Sequence, residues 1–179
     1  MTSDAAVRSS SRWWVPVAAM VVVLAAISIL IVDRTRTSTA FAAGNATSVP
    51  AAVGEAHSFG IGASTRDVDI ESVTVRFAEG SARAATELSI CHQAGASQIG
   101  HATGGELAAW CDPLSAAIGM RLHESEFAIG AEYLVLTVVP LEIGTVLIEH
   151  VEVRYRSGRH VRTDPVGPRI EMSTVERLQ

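Results

Sequence analysis

Two cysteines, Cys91 and Cys111, carry the most distinctive chemistry in this 179-residue chain. A disulfide between them would close over residues 92–110, and a bridge across a loop of that length stabilises a fold by about 3 kcal/mol in the chain-entropy treatment. Disulfides persist in oxidising compartments. The pair therefore predicts a structural bridge and places this part of the chain outside the cytoplasm.

The alternative is a metal site, because the same region holds soft and borderline ligands that suit copper or zinc. This set comprises Cys91, His92, His101, Cys111, Met120 and His123. Its spacing matches neither a CxxC pair nor a zinc finger, and it lacks the compact Cys–His–Met arrangement of a blue-copper loop. The other histidines, His57, His150 and His160, are interpreted as surface or strand residues.

A group of arginines near one predicted hairpin is a candidate interaction surface. It comprises Arg76, Arg154, Arg156, Arg159 and Arg162. Guanidinium groups in this position could meet anionic lipid headgroups or an acidic partner. They are equally compatible with a solvated hairpin, since Glu149 and Glu152 offset part of their charge.

No motif for nucleophilic or phosphate chemistry is present, because the sequence has neither a G-x-S-x-G elbow nor a glycine-rich phosphate loop. The net charge of −5 lacks the basic excess of a nucleic-acid binder. The 48% hydrophobic content is too high for a wholly disordered chain. We therefore expect a folded protein that is not an enzyme and needs no cofactor.

An uncharged apolar run, residues 13–32, predicts a transmembrane helix. At ~1.5 Å per residue it would span ~30 Å, the thickness of a bilayer core. A cleaved signal peptide ending near Ala40-Phe41-Ala42 is the alternative, but the run exceeds the usual ~7–15 residues of such an apolar region. An uncleaved signal anchor is favoured, with the C-terminal part outside the cytoplasm.

The organisation expected from these features has five parts. They are a short cytoplasmic head (1–12), the transmembrane helix (13–32), a flexible linker rich in Ser, Thr, Ala and Gly (33–54), an extracytoplasmic domain (55–167) and a C-terminal tail (168–179).

The domain shows the pattern of an all-β fold, with short Val-, Ile- and Thr-rich segments separated by glycine-bearing breaks. The predicted strands are Asp67–Phe77, Arg83–Cys91, Tyr133–Val139, Val146–Tyr155 and His160–Val166. This number of short strands predicts an immunoglobulin-like β-sandwich, with an open barrel as the alternative.

Two of these strands have similar sequences, IESVTVRFAEG (70–80) and IEHVEVRYRSG (148–158). In both, the alternation of apolar residues changes phase at the same place. A one-residue slip reverses the face that a side chain meets. The pattern therefore predicts a β-bulge or bend near Glu71-Ser72 and another near Glu149-His150. We interpret the two segments as similar strands of one fold rather than as a duplication.

The segment YLVLTVV (133–139) is apolar on both faces, which is typical of a central strand that is covered on both sides. The second face of this strand is covered either by the irregular segment 92–132 or by a partner, such as another protein or the membrane surface.

Together, these features resemble a loose group of actinobacterial single-pass, membrane-anchored β-sandwich proteins of unknown function. The resemblance rests on the N-terminal anchor, Gly60–Ala63, the IESV strand, and the IEHVEVRYRSGRHVR hairpin followed by Val166-Gly167. It implies a β-sandwich outside the membrane and carries over no catalytic residue. The expected function is protein–protein interaction or scaffolding in the cell envelope, with the bilayer and an envelope protein as partners and no nucleic acid. The alternative is an envelope copper-binding protein.

Overall fold

The computed structural model describes residues 40–41, 47–93, 100–125 and 131–175. The predicted head and transmembrane helix lie outside these ranges. Within them, no helix has the length and apolar character that are needed to cross a membrane.

The described residues form an all-β fold with one short helix. In chain order, the elements are β1 (Thr47–Ala52), β2 (His57–Ala63), β3 (Val68–Phe77), β4 (Ala84–Gln93), β5 (His101–Thr103), α1 (Leu107–Trp110), β6 (Cys111–Ala116), β7 (Arg121–Leu122), β8 (Glu132–Pro140), β9 (Gly144–Ser157), β10 (His160–Val166) and β11 (Ile170–Val175).

The strands form two sheets. The first sheet has the order β1-β11-β9-β3-β7, and the second has the order β5-β2-β8-β4-β6. The long strand β9 pairs with β11 through its first half and with β10 through its second half. Each of the five predicted strands corresponds to an observed strand, so the expected all-β, two-sheet, sandwich-like fold is confirmed.

Two predicted boundaries are wrong. Residues 47–52, assigned to the flexible linker 33–54, form β1, which pairs in parallel with β11. Residues 170–175, assigned to the C-terminal tail, form β11, which lies between β1 and β9. The reason is that both strands are only six residues long and pair with each other from opposite ends of the domain's sequence, which the local sequence does not show. In β11, only Ile170, Met172 and Thr174 alternate toward the core.

Both predicted bulges are confirmed, and both occur where β3 and β9 pair with each other. Ile70 faces Tyr155 and Ser72 faces Arg154, so Glu71 is the extra residue of β3. At the other end of the same ladder, Glu149 is the extra residue of β9. The bulge in β9 returns Val151, Val153 and Tyr155 to the core. The bulge in β3 turns Val73 and Val75 toward the core, where both are partly buried.

The similarity of the two strands has a geometric counterpart in this ladder. Thr74 pairs with Glu152, and these two residues occupy the same position in the two similar segments. On either side of this pair, Val73 faces Val153 and Val75 faces Val151. Each valine thus faces the counterpart of the other, since Val73 corresponds to Val151 and Val75 to Val153 in the two segments. The two segments are therefore related by a local pseudo-twofold axis.

The main core lies between the sheets and contains side chains from both of them. The central strand β8 is covered on both faces, as its sequence predicts. Leu134 and Leu136 belong to the main core, whereas Val135 packs on the opposite face with Leu107 and the two cysteines. Residues of the segment 92–132 therefore cover the second face of β8.

Candidate functional site

The chain enters the two-sheet domain at one end, where Ala40 and Phe41 are almost completely buried. The Ala40 carbonyl accepts a hydrogen bond from the Thr65 backbone N–H (2.8 Å). The Phe41 ring meets the Tyr155 ring edge-on, with 5.4 Å between the ring centroids. We call this the proximal end, and it includes the turn 64–67.

Asp164 links the entering chain to the core. Its Oδ2 accepts a hydrogen bond from the Tyr155 hydroxyl (2.7 Å) and another from the Ala40 backbone N–H (3.3 Å). Burial and the hydrogen bond to Asp164 raise the pKa of Tyr155 to about 12. The hydroxyl is therefore a neutral donor at physiological pH.

The opposite, distal end of the domain is formed by the turn 78–83 and the loop 141–143. It lies opposite Ala40 because β3 starts beside the turn 64–67 and ends there at Phe77. Strand β8 ends there at Pro140, and β9 starts there at Gly144.

Large apolar side chains are exposed at the distal end and form what we call the distal patch. Its members are Phe77 (38% exposed), Leu141 (52%), Ile143 (62%) and Val175 (63%). Beside it is an open groove of about 370 Å³ that is lined by Phe77, Ser81, Ala82, Arg83, Ala84 and Leu141. Grouped exposed apolar residues of this kind mark interaction sites more often than isolated ones do.

The loop that displays the patch is held by several hydrogen bonds. Both Glu142 carboxylate oxygens accept hydrogen bonds from Arg83, one from its backbone N–H (2.9 Å) and one from Nε (2.8 Å). These bonds lower the pKa of Glu142. The Leu141 N–H donates to the Arg83 carbonyl (2.9 Å), and the Thr174 hydroxyl is 3.0 Å from the Glu142 carbonyl. The loop is therefore pre-organised, which lowers the entropic cost of binding.

The predicted arginine surface lies on the β3–β9–β10 side of the first sheet, but three of its members are paired with carboxylates. Arg154 and Arg156 both donate to Glu71 (3.1 and 2.7 Å), and Arg76 donates to Glu152 (2.7 Å). The arginine hydrogen bonds lower the pKa of both carboxylates. Arg159 and Arg162 lie on the β9–β10 hairpin. The surface is therefore an ion-pair network rather than a uniformly basic patch.

The predicted disulfide is present. Cys91 and Cys111 are bonded with 5.0 Å between their Cα atoms, and both residues are buried. The bridge joins β4 to the start of β6, so it fixes the middle of the segment 92–132 to the second sheet. Leu107 and Ala102 pack with it against Val135.

The proposed metal ligands are dispersed once the cysteines are bridged. His92 lies 3.4 Å from a Glu132 oxygen, and His123 lies 3.7 Å from an Asp67 oxygen. Met120 is 47% exposed in the turn before β7. Across the described ranges, no three His, Cys, Asp or Glu side chains are close enough together to hold a metal ion.

His101, the remaining non-cysteine residue of the proposed metal set, instead pairs with His57. The His57 Nδ1 and His101 Nε2 atoms are 2.9 Å apart, and the two rings are stacked with 5.2 Å between their centroids. His57 lies in a strand, as interpreted, but it is only 3% exposed. The sequence carried one signal for this burial, since His57 has the same alternation phase as Phe59 and Ile61.

No protein-family model matches the sequence, and no curated protein matches it with significant similarity.

Proposed function

We propose that this chain is a membrane-anchored, extracytoplasmic protein whose immunoglobulin-like domain binds another protein of the cell envelope through the distal patch. The apolar run 13–32 supports the anchor. The buried Cys91–Cys111 disulfide supports an oxidising compartment. Non-catalytic binding is a role that fits a domain with a rigid, exposed apolar surface at one end.

The pinned distal loop is the observation that carries the proposal. Leu141 and Ile143 are each more than half exposed, although hydrogen bonds to neighbouring residues fix their backbone. Burying such a side chain completely contributes ~1.5–3 kcal/mol relative to leaving it exposed. Two half-exposed side chains thus offer a partner about 2 kcal/mol, and the adjacent groove adds further apolar contact.

The position of the patch is also consistent with this role. The chain reaches the domain at the proximal end, where Ala40 and Phe41 are buried. The distal end is therefore the one farther from the point of attachment, where a partner meets least obstruction.

Site-specific photo-crosslinking in intact cells tests the partner. A photo-reactive amino acid at Ile143 is expected to give discrete protein adducts, and Leu141→Asp in the same chain is expected to remove them. Val161, which is 39% exposed on β10, is the matched control position and should give none. Adducts at Val161 but not at Ile143, or no protein adduct at any position, would refute the proposal.

Cysteine labelling tests the orientation, because the described residues contain no free thiol. Ala85→Cys, at an exposed position of β4, should react with a membrane-impermeant maleimide in intact cells. Ser3→Cys, in the predicted head, should react only after permeabilisation. The reverse result would show that the domain is cytoplasmic.

Copper binding, the alternative function, gains no support from the described geometry. Its two thiols are in the disulfide, and its other ligands lie against different carboxylates or are exposed. Purified full-length protein that binds copper only after reduction of the disulfide would revive this alternative.

A further inference from the structure

One edge of the second sheet is held to the rest of the sheet by only a short backbone ladder. Residues 100–110, which we call the flap, comprise β5 and α1. Strand β5 is at the edge of the sheet and pairs with β2 over three residues. Ala102 and Leu107 of the flap cover Val135 and the disulfide. Edge elements with short ladders are drawn from the least stable parts of a fold.

A pair of imidazole rings connects the flap to β2. His101 of the flap and His57 of β2 are hydrogen-bonded at 2.9 Å, and Phe59 packs against the His101 ring with 5.1 Å between centroids. An imidazole nitrogen can accept a hydrogen bond only when it carries no proton. The bond therefore requires that at least one of these two nitrogens be unprotonated.

The surroundings of His57 indicate which nitrogen that is. His57 Nε2 is buried without a hydrogen-bond partner and faces a Glu55 carboxylate oxygen at 3.7 Å. A proton on Nε2 is favoured by that negative charge, whereas a bare lone pair would be repelled. His57 Nδ1 is then the acceptor, and His101 Nε2–H is the donor.

We propose that the His57–His101 pair is an acid-sensitive latch that holds the flap closed. The latch tolerates one added proton, because the hydrogen bond survives whichever ring takes it: His57 Nδ1 accepts if His101 is charged, and His101 Nε2 accepts if His57 is charged. A second proton leaves both facing nitrogens protonated, which removes the acceptor and places two positive rings in contact. The flap then separates from β2 and uncovers Val135 and the disulfide.

The charged groups facing the pair are consistent with this mechanism. Burial and the His57 ring lower the pKa of His101, while Glu106 of the flap partly opposes them. Glu106 itself accepts hydrogen bonds from the Thr103 N–H and hydroxyl, which lower its pKa, so it stays ionised in mild acid. Glu55 faces the other side of the pair. Because the pKa of His101 is below the unfolded value, its contribution to stability is lost as the pH falls below ~6.5.

Amide hydrogen exchange on the full-length protein in detergent, with EDTA present, measures the latch directly. We compare the protection of the β5 amides (101–103) with that of three β8 amides (134–136) at pH about 7.5 and about 4.5. In the wild type, the β5 protection relative to β8 should fall by about tenfold or more, equivalent to about 1.4 kcal/mol. His101→Gln cannot become charged, and its amide can either donate to His57 Nδ1 or accept from it once that nitrogen is protonated, so its protection ratio should change by less than about twofold.

His150→Gln is the matched control, because His150 also lies beside a glutamate, on the first sheet. It should behave like the wild type. An unchanged wild-type ratio, or an equal fall in His101→Gln, would overturn the latch.

A second measurement does not depend on the variant folding. NMR titration of the wild-type histidines should show loss of β5 protection as the second of the two rings takes up its proton. Full protonation of both rings with β5 still protected would also overturn the proposal.

Discussion

Phe41 lies within the segment predicted to be a linker, yet it is 4% exposed and packs edge-on against Tyr155. If the domain includes this residue, Phe41→Ala should be strongly destabilising. Truncation of a buried phenylalanine costs ~3–5 kcal/mol through lost burial and a residual cavity, and the aromatic pair accounts for about 1 kcal/mol of that. The loss is about a fifth or more of the ~5–15 kcal/mol that stabilises a typical domain.

Urea unfolding of the full-length protein in mild detergent, followed by tryptophan fluorescence, measures this cost. With a urea dependence of about 2 kcal/mol per molar, a loss of about 4 kcal/mol moves the midpoint down by about 2 M. Phe41→Leu retains most of the volume but not the ring pair, and it should cost about 1 kcal/mol. A Phe41→Ala midpoint within about 0.5 M of the wild type would show that the entering chain is not part of the folded unit.

Three further predictions concern features on which the fold depends. The double substitution Cys91→Ala/Cys111→Ala should lower the free energy of unfolding by about 3 kcal/mol, and urea unfolding with and without reductant checks this value. Gly167→Ala should lower the thermal unfolding midpoint more than Gly158→Ala does, although both glycines have positive φ. An added Cβ at Gly167 would lie 2.9 Å from the Cβ of Ile61 in β2, whereas one at Gly158 meets nothing within 4 Å. Because the pKa of Tyr155 is raised to about 12, its contribution to the free energy of unfolding is complete below pH ~10 and is lost as the pH rises toward 12. Tyr155→Phe should therefore be less stable than the wild type at neutral pH and should lose less stability in alkali, as measured by urea unfolding across this pH range.

The bulges were the most informative feature of the sequence. Alternation in a strand is strict, so a change of phase between Ile70 and Val73 has few physical solutions other than an inserted residue. The same argument located the bulge at Glu149. The cover on both faces of β8 also followed from the composition of the strand. A strand that is apolar on both faces gains free energy from the burial of each face.

What the sequence did not reveal depended on contacts between distant residues. Strand β1 is stabilised by its parallel ladder with β11, and its own sequence, TSVPAA, carries little apolar signal. The sequence does not indicate the distal patch, because Phe77 and Leu141 come to line the same groove only when two turns fold to the same end. The sequence around His57 indicates only a strand or surface residue, since its partner His101 is 44 positions away.

The parallel pairing of β1 with β11 determines how the domain would respond to mechanical force. Tension applied through the N-terminal chain would first load the buried contacts of Ala40 and Phe41 and, once these yield, would pull β1 along its own axis, because β1 runs from the proximal toward the distal end. The six residue pairs from Thr47–Ile170 to Ala52–Val175 would then resist together in shear rather than open one after another. If the domain is attached to a membrane at one end and to a partner at the other, as we propose, it would carry such tension whenever the two moved apart.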